Sequence, residues 1–525
     1  MPTPTSYSFS FPSWMTGIKA VDSLISGTYW LGNDWSPFGS TQLSYSFISE
    51  TTSYFATKYS PVNEYTDAYS LTSEQQNAVI NALSTWSAVA DIKFTLTSDT
   101  RTNVGDLRFG GYSSMDSDTA AWAYYPDNSP RGGDVWIGPV TNNPNPVKGT
   151  YDFLTFVHEI GHALGLKHPF SASATNNQIL DPSMDSVFYT VMSYNNAYSY
   201  EPTTPMLLDI YAIQSLYGAN NLWQAGDTVY KWAADQSIFE TIWDGGGNDT
   251  IDGSNQLQSV RINLNEGAFS TIGKAFLDIA HQTNVTDALA IAFGAKIENA
   301  IGSAFDDTLI GNDLNNTLNG GLGADTMIGG DGVDTYYVDN VGDVVIETDS
   351  SLTAYDRVFS SIDYTLAANV ENLLLTGSAN LNGTGNAVNN RIVGTNGNNI
   401  LDGGLGADNL EGGLGNDTYI VDNLGDTVTE TSALASEIDT VRASVNWTLS
   451  ANVENLILTG TALNGTGNNL DNTLTGNDQN NTLDGGLGAD TMIGGAGIDT
   501  YYVDNVGDVV IETDASLTAY DRVFS

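Results

Sequence analysis

The chain has 525 residues, which is too long for one ordinary hydrophobic core, so at least two domains are expected. Its 62 acidic residues against 16 basic ones give a net charge of −46, which argues against nucleic acid or an anionic membrane surface as partner and suits divalent cations. Cysteine is absent, which excludes a disulfide framework and a thiolate zinc site.

The N-terminal part of the chain carries strand and helix patterns. Residues 1–35 are rich in serine, threonine and aromatic residues, and we interpret them as a short propeptide followed by the first segment of a domain. Alternation over Leu43–Phe47 predicts a half-buried strand, and Thr72 with Gln75 forms a capping box that opens a helix. Further strands are predicted at Ile92–Leu96 and Asp106–Phe109.

The sequence has no signal for export of the usual kind. Met1–Phe9 lacks the basic region and the continuous apolar run of a secretory signal, and no later stretch could span a bilayer. Signal-dependent export is therefore not expected. On sequence chemistry alone, a cytosolic protein remains an alternative.

Three of the four histidines lie in Thr155–Pro169, at spacings that suit one metal ion. His158 and His162 are four residues apart, so on a helix they project from one face. The apolar residues around them recur at helical spacing, and Gly165 can take the left-handed conformation that returns His168 to the same point. We therefore predict a zinc site of three imidazoles.

Three neutral imidazoles leave zinc an open position for water, whose pKa the ion lowers to about 7, as in catalytic zinc sites. Glu159 follows a ligand directly and is the natural acceptor for the proton of that water. For an isolated pair of histidines at this spacing, the alternative is a helix whose histidines are packed or exposed without a metal. The full eleven-residue pattern favours the zinc site.

The pattern His-Glu-x-x-His-x-x-Gly-x-x-His, which spans His158–His168, resembles that of the metzincin zinc proteases without a departure. The resemblance implies a methionine turn beneath the zinc, and Thr190–Tyr194, with Met192 at its centre, looks like that turn. In the serralysin branch the tyrosine two residues after this methionine ligates zinc and stabilises the developing oxyanion. The resemblance implies both roles for Tyr194, and an ordinary buried tyrosine is the alternative.

Two more segments are similar to serralysins. Ala121–Tyr125 lies where the family carries the edge strand that pairs with an extended substrate, and an ordinary core strand is the alternative. Met206–Gly218 resembles the helix that follows the methionine turn and closes the first domain. We therefore predict a zinc metalloprotease catalytic domain over residues 36–222.

Residues 223–525 are repetitive and rich in Gly, Asn, Asp and Thr. Gly-Gly-x-Gly-x-Asp loops occur as three tandem pairs with a period of nine, which is the calcium-binding repeat of parallel β-rolls. The predicted calcium ligands in these loops are Gly320, Asp325, Gly329, Asp334, Gly403, Asp408, Gly412, Asp417, Gly485, Asp490, Gly494 and Asp499. One such loop alone would be a plain β-turn, but six in register favour calcium binding.

Degenerate loops accompany the complete ones. Gly311–Asn316 and Gly394–Asn399 keep the turn residues but lose the carboxylate, so we predict structural turns there. A longer repeat is superimposed, because the units that start near Leu318, Leu401 and Leu483 are 83 and 82 residues apart. Recent duplication is the simple account.

The segments between the two regions closely resemble serralysin sequences. They are Gln224–Thr228, Trp243–Thr250, Arg261–Gly267 and Lys296–Gly302. The resemblance implies oxygen-only calcium ligation, which calcium prefers. The implied carboxylate ligands are Asp244, Asp249 and Glu298, and the implied backbone ligands are Gln224, Gly226, Thr228, Gly246, Gly247 and Lys296.

The end of the chain departs from the family pattern. Serralysins end in an aspartate and apolar residues that a type I export apparatus recognises, whereas this chain stops at Asp521–Ser525, inside a repeat whose first copy continues past Ser360. We therefore expect a repeat domain that is truncated at its C-terminus.

Together, these features predict an α+β metzincin zinc-protease domain followed by an all-β parallel β-roll or β-helix of calcium-binding repeats. The resemblance implies a secreted, extracellular, monomeric endopeptidase with one catalytic Zn²⁺ and several structural Ca²⁺, which acts on proteins and peptides and uses a type I export apparatus. Two rivals stay open: a calcium-binding surface or adhesive repeat protein with a vestigial protease domain, and an intracellular, calcium-independent hydrolase.

Overall fold

The structure is a computed structural model, and it describes residues 8–31, 40–56, 59–141, 143–351, 355–434, 436–513 and 520–525. It divides into two compact units. Unit 1 comprises the described residues up to Leu257 together with Ile262–Ile297, and unit 2 comprises Gln258–Arg261 with the described residues from Glu298 onwards. The predicted domain boundary at residue 222 falls inside unit 1 and stays a prediction. Within the described ranges, every helix is too short or too polar to cross a bilayer.

The helices of the described residues are α1 (Lys19–Asp22), α2 (Ser73–Val89), α3 (Tyr151–Leu164) and α4 (Leu207–Tyr217), with 3₁₀ turns at Glu64–Asp67 and Pro139–Thr141. The strands as far as residue 291 are β1 (Phe9–Pro12), β2 (Thr28–Leu31), β3 (Thr41–Phe47), β4 (Ala68–Tyr69), β5 (Ile92–Leu96), β6 (Leu107–Tyr112), β7 (Ala121–Ala123), β8 (Val135–Ile137), β9 (Val229–Tyr230), β10 (Glu240–Ile242), β11 (Thr250–Asp252), β12 (Arg261–Asn263), β13 (Phe269–Ser270), β14 (Phe276–Asp278), β15 (Thr283–Val285) and β16 (Leu289–Ile291).

The later strands are β17 (Asn299–Ile301), β18 (Thr308–Ile310), β19 (Thr317–Asn319), β20 (Thr326–Ile328), β21 (Thr335–Val338), β22 (Val344–Ile346), β23 (Arg357–Ser360), β24 (Tyr364–Thr365), β25 (Asn372–Leu375), β26 (Asn382–Thr384), β27 (Arg391–Val393), β28 (Ile400–Asp402), β29 (Asn409–Glu411), β30 (Thr418–Val421), β31 (Thr427–Thr429), β32 (Thr440–Ala443), β33 (Trp447–Thr448), β34 (Asn455–Leu458), β35 (Asn464–Thr466), β36 (Thr473–Thr475), β37 (Thr482–Asp484), β38 (Thr491–Ile493), β39 (Thr500–Tyr502), β40 (Val509–Ile511) and β41 (Arg522–Phe524).

A mixed sheet in unit 1 has the strand order β5-β3-β6-β8-β7, and β4 pairs with β6. Strands β3, β5, β6 and β8 are parallel, whereas β7 runs antiparallel to β8. Because β7 is last in the order, the outer backbone edge of Ala121–Ala123 has no strand partner among the described residues. The predicted edge strand is confirmed, and its alternative, a core strand, is wrong.

Helices α2 and α3 pack together around Trp86. The Trp86 side chain is fully buried, and its Nε1 donates a hydrogen bond to Val157 O at 3.1 Å. Thr72 and Gln75 form the predicted capping box at the start of α2, which confirms where that helix begins. Truncation of a buried tryptophan costs about 3–5 kcal/mol, so this contact does much to fix α3 in place.

Unit 2 is a stack of short parallel strands. Most strands pair with the next but one along the chain, as when Thr317 of β19 pairs with Thr335 of β21. In the three-residue strands β19 and β20 the central side chain, Leu318 or Met327, is buried while its neighbours are half-buried, and in β21 Tyr336 is buried at the same level. The core is therefore a column of single side chains, and the predicted all-β parallel β-roll or β-helix is confirmed.

Candidate metal centre

Helix α3 and the turn after it bring the three histidines together. Thr150 Oγ1 caps the helix by accepting a hydrogen bond from Phe153 N. Gly165 ends the helix at φ 110°, and a Cβ at that position would lie 2.3 Å from Thr28 O, so glycine is required there. The left-handed turn predicted from the sequence is thus present, and it returns the chain towards His168.

The Nε2 atoms of the three histidines converge. His168 Nε2 lies 3.1 Å from His158 Nε2 and 2.9 Å from His162 Nε2. On the other side of the rings, His158 Nδ1 donates to Val191 O and His162 Nδ1 donates to Leu166 O, both at 2.7 Å. Backbone carbonyls therefore select the tautomer that turns the Nε2 lone pairs towards one point, which is the donor set that zinc requires.

The histidines are in the form that binds a metal. Burial lowers the pKa of His158 to about 4 and the pKa of His168 to about 3, and it lowers the pKa of His162 well below the ordinary value. All three imidazoles are therefore neutral at physiological pH. Three neutral imidazoles with converging lone pairs fit a zinc ion, and the alternative of packed or exposed histidines does not explain the convergence.

Glu159 lies beside this cluster. Its side chain is 6% exposed, and its Oε2 is buried without a hydrogen-bond partner among the described residues. Burial raises the pKa of Glu159 to about 8, so the carboxyl is poised to exchange a proton near neutral pH. An unsatisfied buried carboxyl oxygen is costly, which points to a role outside the packing of the core.

Tyr194 stands over the histidines. Its ring centroid lies 4.5 Å from that of His168 and 5.8 Å from that of His158, and the residue is 62% exposed. The interpretation of Tyr194 as an ordinary buried tyrosine is therefore wrong. Partial burial of the hydroxyl and the charge of Glu159 raise the pKa of Tyr194 to about 12, so the hydroxyl stays a hydrogen-bond donor.

The methionine turn lies beneath helix α3. Met192 is fully buried, and a Cβ on Gly161 would lie 2.7 Å from Met192 Sδ, so the glycine makes room for the sulfur. Asp209 of α4 holds this turn by accepting hydrogen bonds from Thr190 Oγ1 at 2.6 Å and Val191 N at 2.7 Å. The sequence interpretation did not single out Asp209, because its partners are 18 and 19 residues away.

A cleft of about 420 Å³ extends from His158 to the sheet edge. Its lining includes His158, Glu159, Tyr194 and Ala121. Strand β7 is anchored by Glu64, a fully buried residue that accepts hydrogen bonds from Trp122 Nε1 and the Tyr124 hydroxyl. The free backbone edge and the candidate centre therefore face the same space, and Glu64 is a supporting residue that the sequence pattern did not indicate.

The family resemblance implied a set of calcium ligands in the loops around residues 224–249 and at residues 296 and 298. Some of these residues lie close together in unit 1. Asp249 Oδ1 accepts from Thr228 N at 2.7 Å, and a Cβ on Gly247 would lie 2.8 Å from this oxygen and 2.7 Å from Gly226 O. Asp244 accepts from Gly246 N at 2.7 Å and from the Tyr230 hydroxyl at 2.6 Å. Gln224 takes a left-handed φ of 48° at the start of its loop. Lys296 belongs to unit 1 and Glu298 to unit 2, and the calcium assignment of this set stays a prediction.

The nonapeptide loops of unit 2 place each aspartate against the first glycine of its own loop. A Cβ on that glycine would lie 2.1–2.4 Å from the aspartate Oδ2 in all six loops, whose pairs are Gly320 with Asp325, Gly329 with Asp334, Gly403 with Asp408, Gly412 with Asp417, Gly485 with Asp490, and Gly494 with Asp499. The other oxygen accepts a backbone hydrogen bond, as when Asp325 Oδ1 accepts from Asp307 N at 2.8 Å. The Oδ2 atoms of Asp325, Asp334, Asp408, Asp417 and Asp490 are buried without a hydrogen-bond partner among the described residues.

Those unsatisfied oxygens fit a hard cation. Burial raises the pKa to about 7 for Asp325, Asp334 and Asp417, and to about 6 for Asp408 and Asp490. Carboxylate and carbonyl oxygens are the ligands that calcium prefers. The degenerate turns differ, because Asn316 and Asn399 satisfy both ends of their amides within the stack, so the predicted structural turns are confirmed.

Comparison with known proteins gives two family matches. The family model described as Matrixin matches residues 53–218, which include helix α3. The model described as Peptidase M10 serralysin C terminal matches residues 208–522, which is more than half of the chain. The chain belongs to the serralysin family. The resemblance stated from the sequence and the predicted order of fold classes are thereby confirmed.

Individual relatives align with part of the chain. The serralysin of Photorhabdus sp. (strain Az29) is 36% identical over 325 residues, which are 56% of this chain and 63% of that protein. Serralysin B of Dickeya chrysanthemi is 32% identical over 330 residues, 57% of this chain and 64% of that protein. Metalloprotease AprA of Pseudomonas entomophila (strain L48) is 32% identical over 332 residues, with the same two shares. The chain thus spans less than two thirds of the length of these relatives.

Proposed function

We propose that this member of the serralysin family is a secreted zinc-dependent endopeptidase whose repeats are stabilised by calcium. The observation that carries the proposal is the convergence of three neutral imidazoles, two of them held by backbone carbonyls, beside the unsatisfied carboxyl of Glu159. The printed names of the relatives, serralysin and metalloprotease, support the same chemistry.

The residues divide the work of peptide hydrolysis. His158, His162 and His168 would hold zinc, which would act as a Lewis acid and lower the pKa of a bound water to about 7. Glu159 would accept a proton from the water that attacks the peptide carbonyl carbon, and it would deliver that proton to the amide nitrogen as the C–N bond breaks. The Tyr194 hydroxyl donates a hydrogen bond to the carbonyl oxygen as negative charge develops there.

The substrate binds as an extended strand. The free edge of β7 offers backbone donors and acceptors to a peptide that lies along the cleft, with Ala121 and Glu159 on its walls. Pairing through the backbone tolerates many side chains. The expected substrates are therefore extended or unfolded proteins, cleaved with loose sequence preference.

Calcium loops support an extracellular location. Modules of this kind bind calcium in the range of about 10⁻⁴–10⁻³ M, which is found mostly outside cells. Export by a type I apparatus rests on the family resemblance. The same requirement argues against an intracellular, calcium-independent hydrolase.

The test compares two variants of helix α3 that each lose one carboxylate. Glu159→Gln should lower kcat by about 10²–10⁴, because the proton acceptor is lost while the three imidazoles remain. Asp152→Asn, which lies on the same helix and keeps an oxygen to accept from Asn143 Nδ2, should retain activity. Zinc content is measured for both by mass spectrometry.

Peptidase activity is measured as cleavage of an unfolded protein, and the cleavage sites are mapped by mass spectrometry with and without a zinc chelator. A wild-type chain that holds zinc but cleaves nothing would favour the surface or adhesive repeat protein with a vestigial protease domain. Equal activity in Glu159→Gln and wild type would contradict the role of Glu159.

A further inference from the structure

Unit 2 brings three carboxylates together at a place that the nonapeptide loops do not explain. Asp334 closes the second loop of the first tandem pair, whereas Glu347 and Asp356 follow 13 and 22 residues later, outside any Gly-Gly-x-Gly-x-Asp loop. One oxygen of each residue lies within 4.8 Å of the others. The same grouping recurs at Asp417, Glu430 and Asp439, and again at Asp499, Glu512 and Asp521.

The first two groupings are buried. Asp334 and Asp356 are fully buried and Glu347 is 7% exposed, and the second grouping is buried to a similar degree. Among the described residues, none of these six carboxylates forms an ion pair with a lysine or an arginine. Buried carboxylates without a countercharge are costly, so a compensating group is expected.

Hydrogen bonds leave one oxygen of each aspartate facing inward. Asp334 Oδ1 accepts from Asn316 N at 2.7 Å, and Asp356 Oδ1 accepts from Asp334 N at 2.6 Å. The Oδ2 atoms of Asp334 and Asp356 are buried without a hydrogen-bond partner among the described residues, and so is that of Asp417 in the second grouping. Buried polar atoms are almost always satisfied, so these oxygens point to a ligand.

The glutamate is oriented towards the same space. A Cβ on Gly329 would lie 2.1 Å from Asp334 Oδ2 and 2.8 Å from Glu347 Oε2, so both oxygens border one point. The Tyr336 hydroxyl, on a fully buried side chain, donates to Glu347 Oε2 at 2.6 Å and fixes the carboxylate. In the second grouping Tyr419 donates to Glu430 Oε2 at 2.7 Å, so the arrangement is repeated in detail.

We propose that each of these two groupings binds a Ca²⁺ ion, in addition to the ions of the loops that end at Asp325, Asp408, Asp490 and Asp499. Oxygens that share a Ca²⁺ at about 2.3–2.6 Å lie up to about 5 Å apart, which agrees with the observed spacing. The ligands are Asp334, Glu347 and Asp356 in the first site and Asp417, Glu430 and Asp439 in the second. Each ion joins a loop pair to the segment that follows it, and so links the parts of one long repeat.

The first test counts calcium ions bound to the full-length chain. Equilibrium dialysis at about 1 mM free calcium, followed by elemental mass spectrometry, compares wild type with Glu347→Gln/Glu430→Gln. Glutamine keeps one oxygen, which can still accept from the tyrosine, but it loses the charge and the second oxygen, which accepts from Asp349 N in Glu347 and from Ser432 N in Glu430. The matched control is Asp313→Asn/Asp331→Asn, which removes two exposed carboxylates from the same unit.

The expected result is a loss of two ions per chain in the glutamate variant and none in the control. A calcium count equal to wild type in the glutamate variant, as for carboxyls that simply stay protonated, would overturn the proposal. So would equal losses in variant and control. The count does not depend on peptidase activity, so failure of the zinc mechanism would leave it unchanged.

If the glutamate variant does not fold, as judged by its circular dichroism spectrum, a second measurement tests the proposal. Tyr336→Phe/Tyr419→Phe keeps all six carboxylates, and terbium is bound in place of calcium. Terbium beside these tyrosines emits when the tyrosines are excited, so sensitised emission should be weaker in this variant than in wild type. Tyr337→Phe/Tyr502→Phe, which changes two exposed tyrosines, is the control. Equal emission from both variants would overturn the proposal.

Discussion

The histidine centre of unit 1 and the aspartate loops of unit 2 fix their metal-facing atoms in different ways. In the centre, backbone carbonyls hold the imidazoles of His158 and His162, and a tryptophan core holds the helix that carries them. In the loops, glycine-rich turns present carboxylate oxygens, such as Oδ2 of Asp325, that have no hydrogen-bond partner in the described part of the chain. The fold itself therefore forms the first candidate site, whereas we propose that the second depends on an ion for its stability.

The largest expected effect comes from removing one metal at a time, because loss of calcium should unfold the repeats whereas loss of zinc should stop catalysis and leave the fold intact. Without calcium, aspartates of successive turns face one another across strands about 4.8 Å apart, and the glycines lose the ions that order them. We expect the full-length chain to lose most of its β signal in far-ultraviolet circular dichroism after dialysis into calcium-free buffer. A zinc-selective chelator should abolish peptide hydrolysis and leave the spectrum unchanged.

Return of the ions provides the control. Calcium should restore the β signal cooperatively at about 10⁻⁴–10⁻³ M, and magnesium should restore it poorly because it demands tighter octahedral geometry. A complete β signal in calcium-free buffer would mean that the aspartates only form turns. A spectrum that changes on zinc removal would mean that the centre is not formed by the fold alone.

Tyr194→Phe tests the part of the centre that acts only in the transition state. Loss of one such donor typically lowers kcat by about 10²–10³, and KM should change far less. Zinc content should stay at the wild-type level, because the three imidazoles are unchanged. Tyr125→Phe is the control, since its ring also contacts His162 but has no proposed role in the reaction. An unchanged kcat in Tyr194→Phe would leave Tyr194 as a wall of the cleft.

Asn399→Asp tests the difference between a structural turn and a calcium loop. Asn399 Nδ2 donates to Leu381 O at 2.6 Å, and aspartate would place an acceptor against that carbonyl. We expect a loss of about 1–3 kcal/mol in the free energy of unfolding, measured by denaturant titration in saturating calcium. Asn416→Asp is the control, because this exposed residue only accepts from Ile438 N, and aspartate can still accept. Equal midpoints for the two variants would contradict the structural role of Asn399.

The sequence predicted the features that depend on neighbours along the chain. The capping box of Thr72, the helix around His158, the reversal at Gly165 and the period of the glycine loops are all set within a few residues. Local backbone preferences and side-chain spacing are sufficient for such features. The fold class and the family therefore followed from the sequence.

Other features depended on residues that meet only in the folded chain. The sequence left the exposure of Tyr194 open, and it gave no sign that Glu64 anchors the edge strand or that Asp209 holds the methionine turn. It also did not indicate that Glu347 and Asp356 join the loop aspartate. Each of these contacts spans more than ten residues, where spacing along the chain no longer constrains distance in space.

The sequence by itself determined the candidate metal ligands of this protein, because three imidazoles and six glycine-aspartate loops follow from local patterns. Only the tertiary structure decided which atoms of those groups face inward. The carbonyls of Val191 and Leu166 select the histidine nitrogen, and the pairing of one turn with the next selects the aspartate oxygen. The physical reason is that a buried polar atom satisfied by the fold is no longer available to an ion, and long-range packing alone determines which atoms are satisfied.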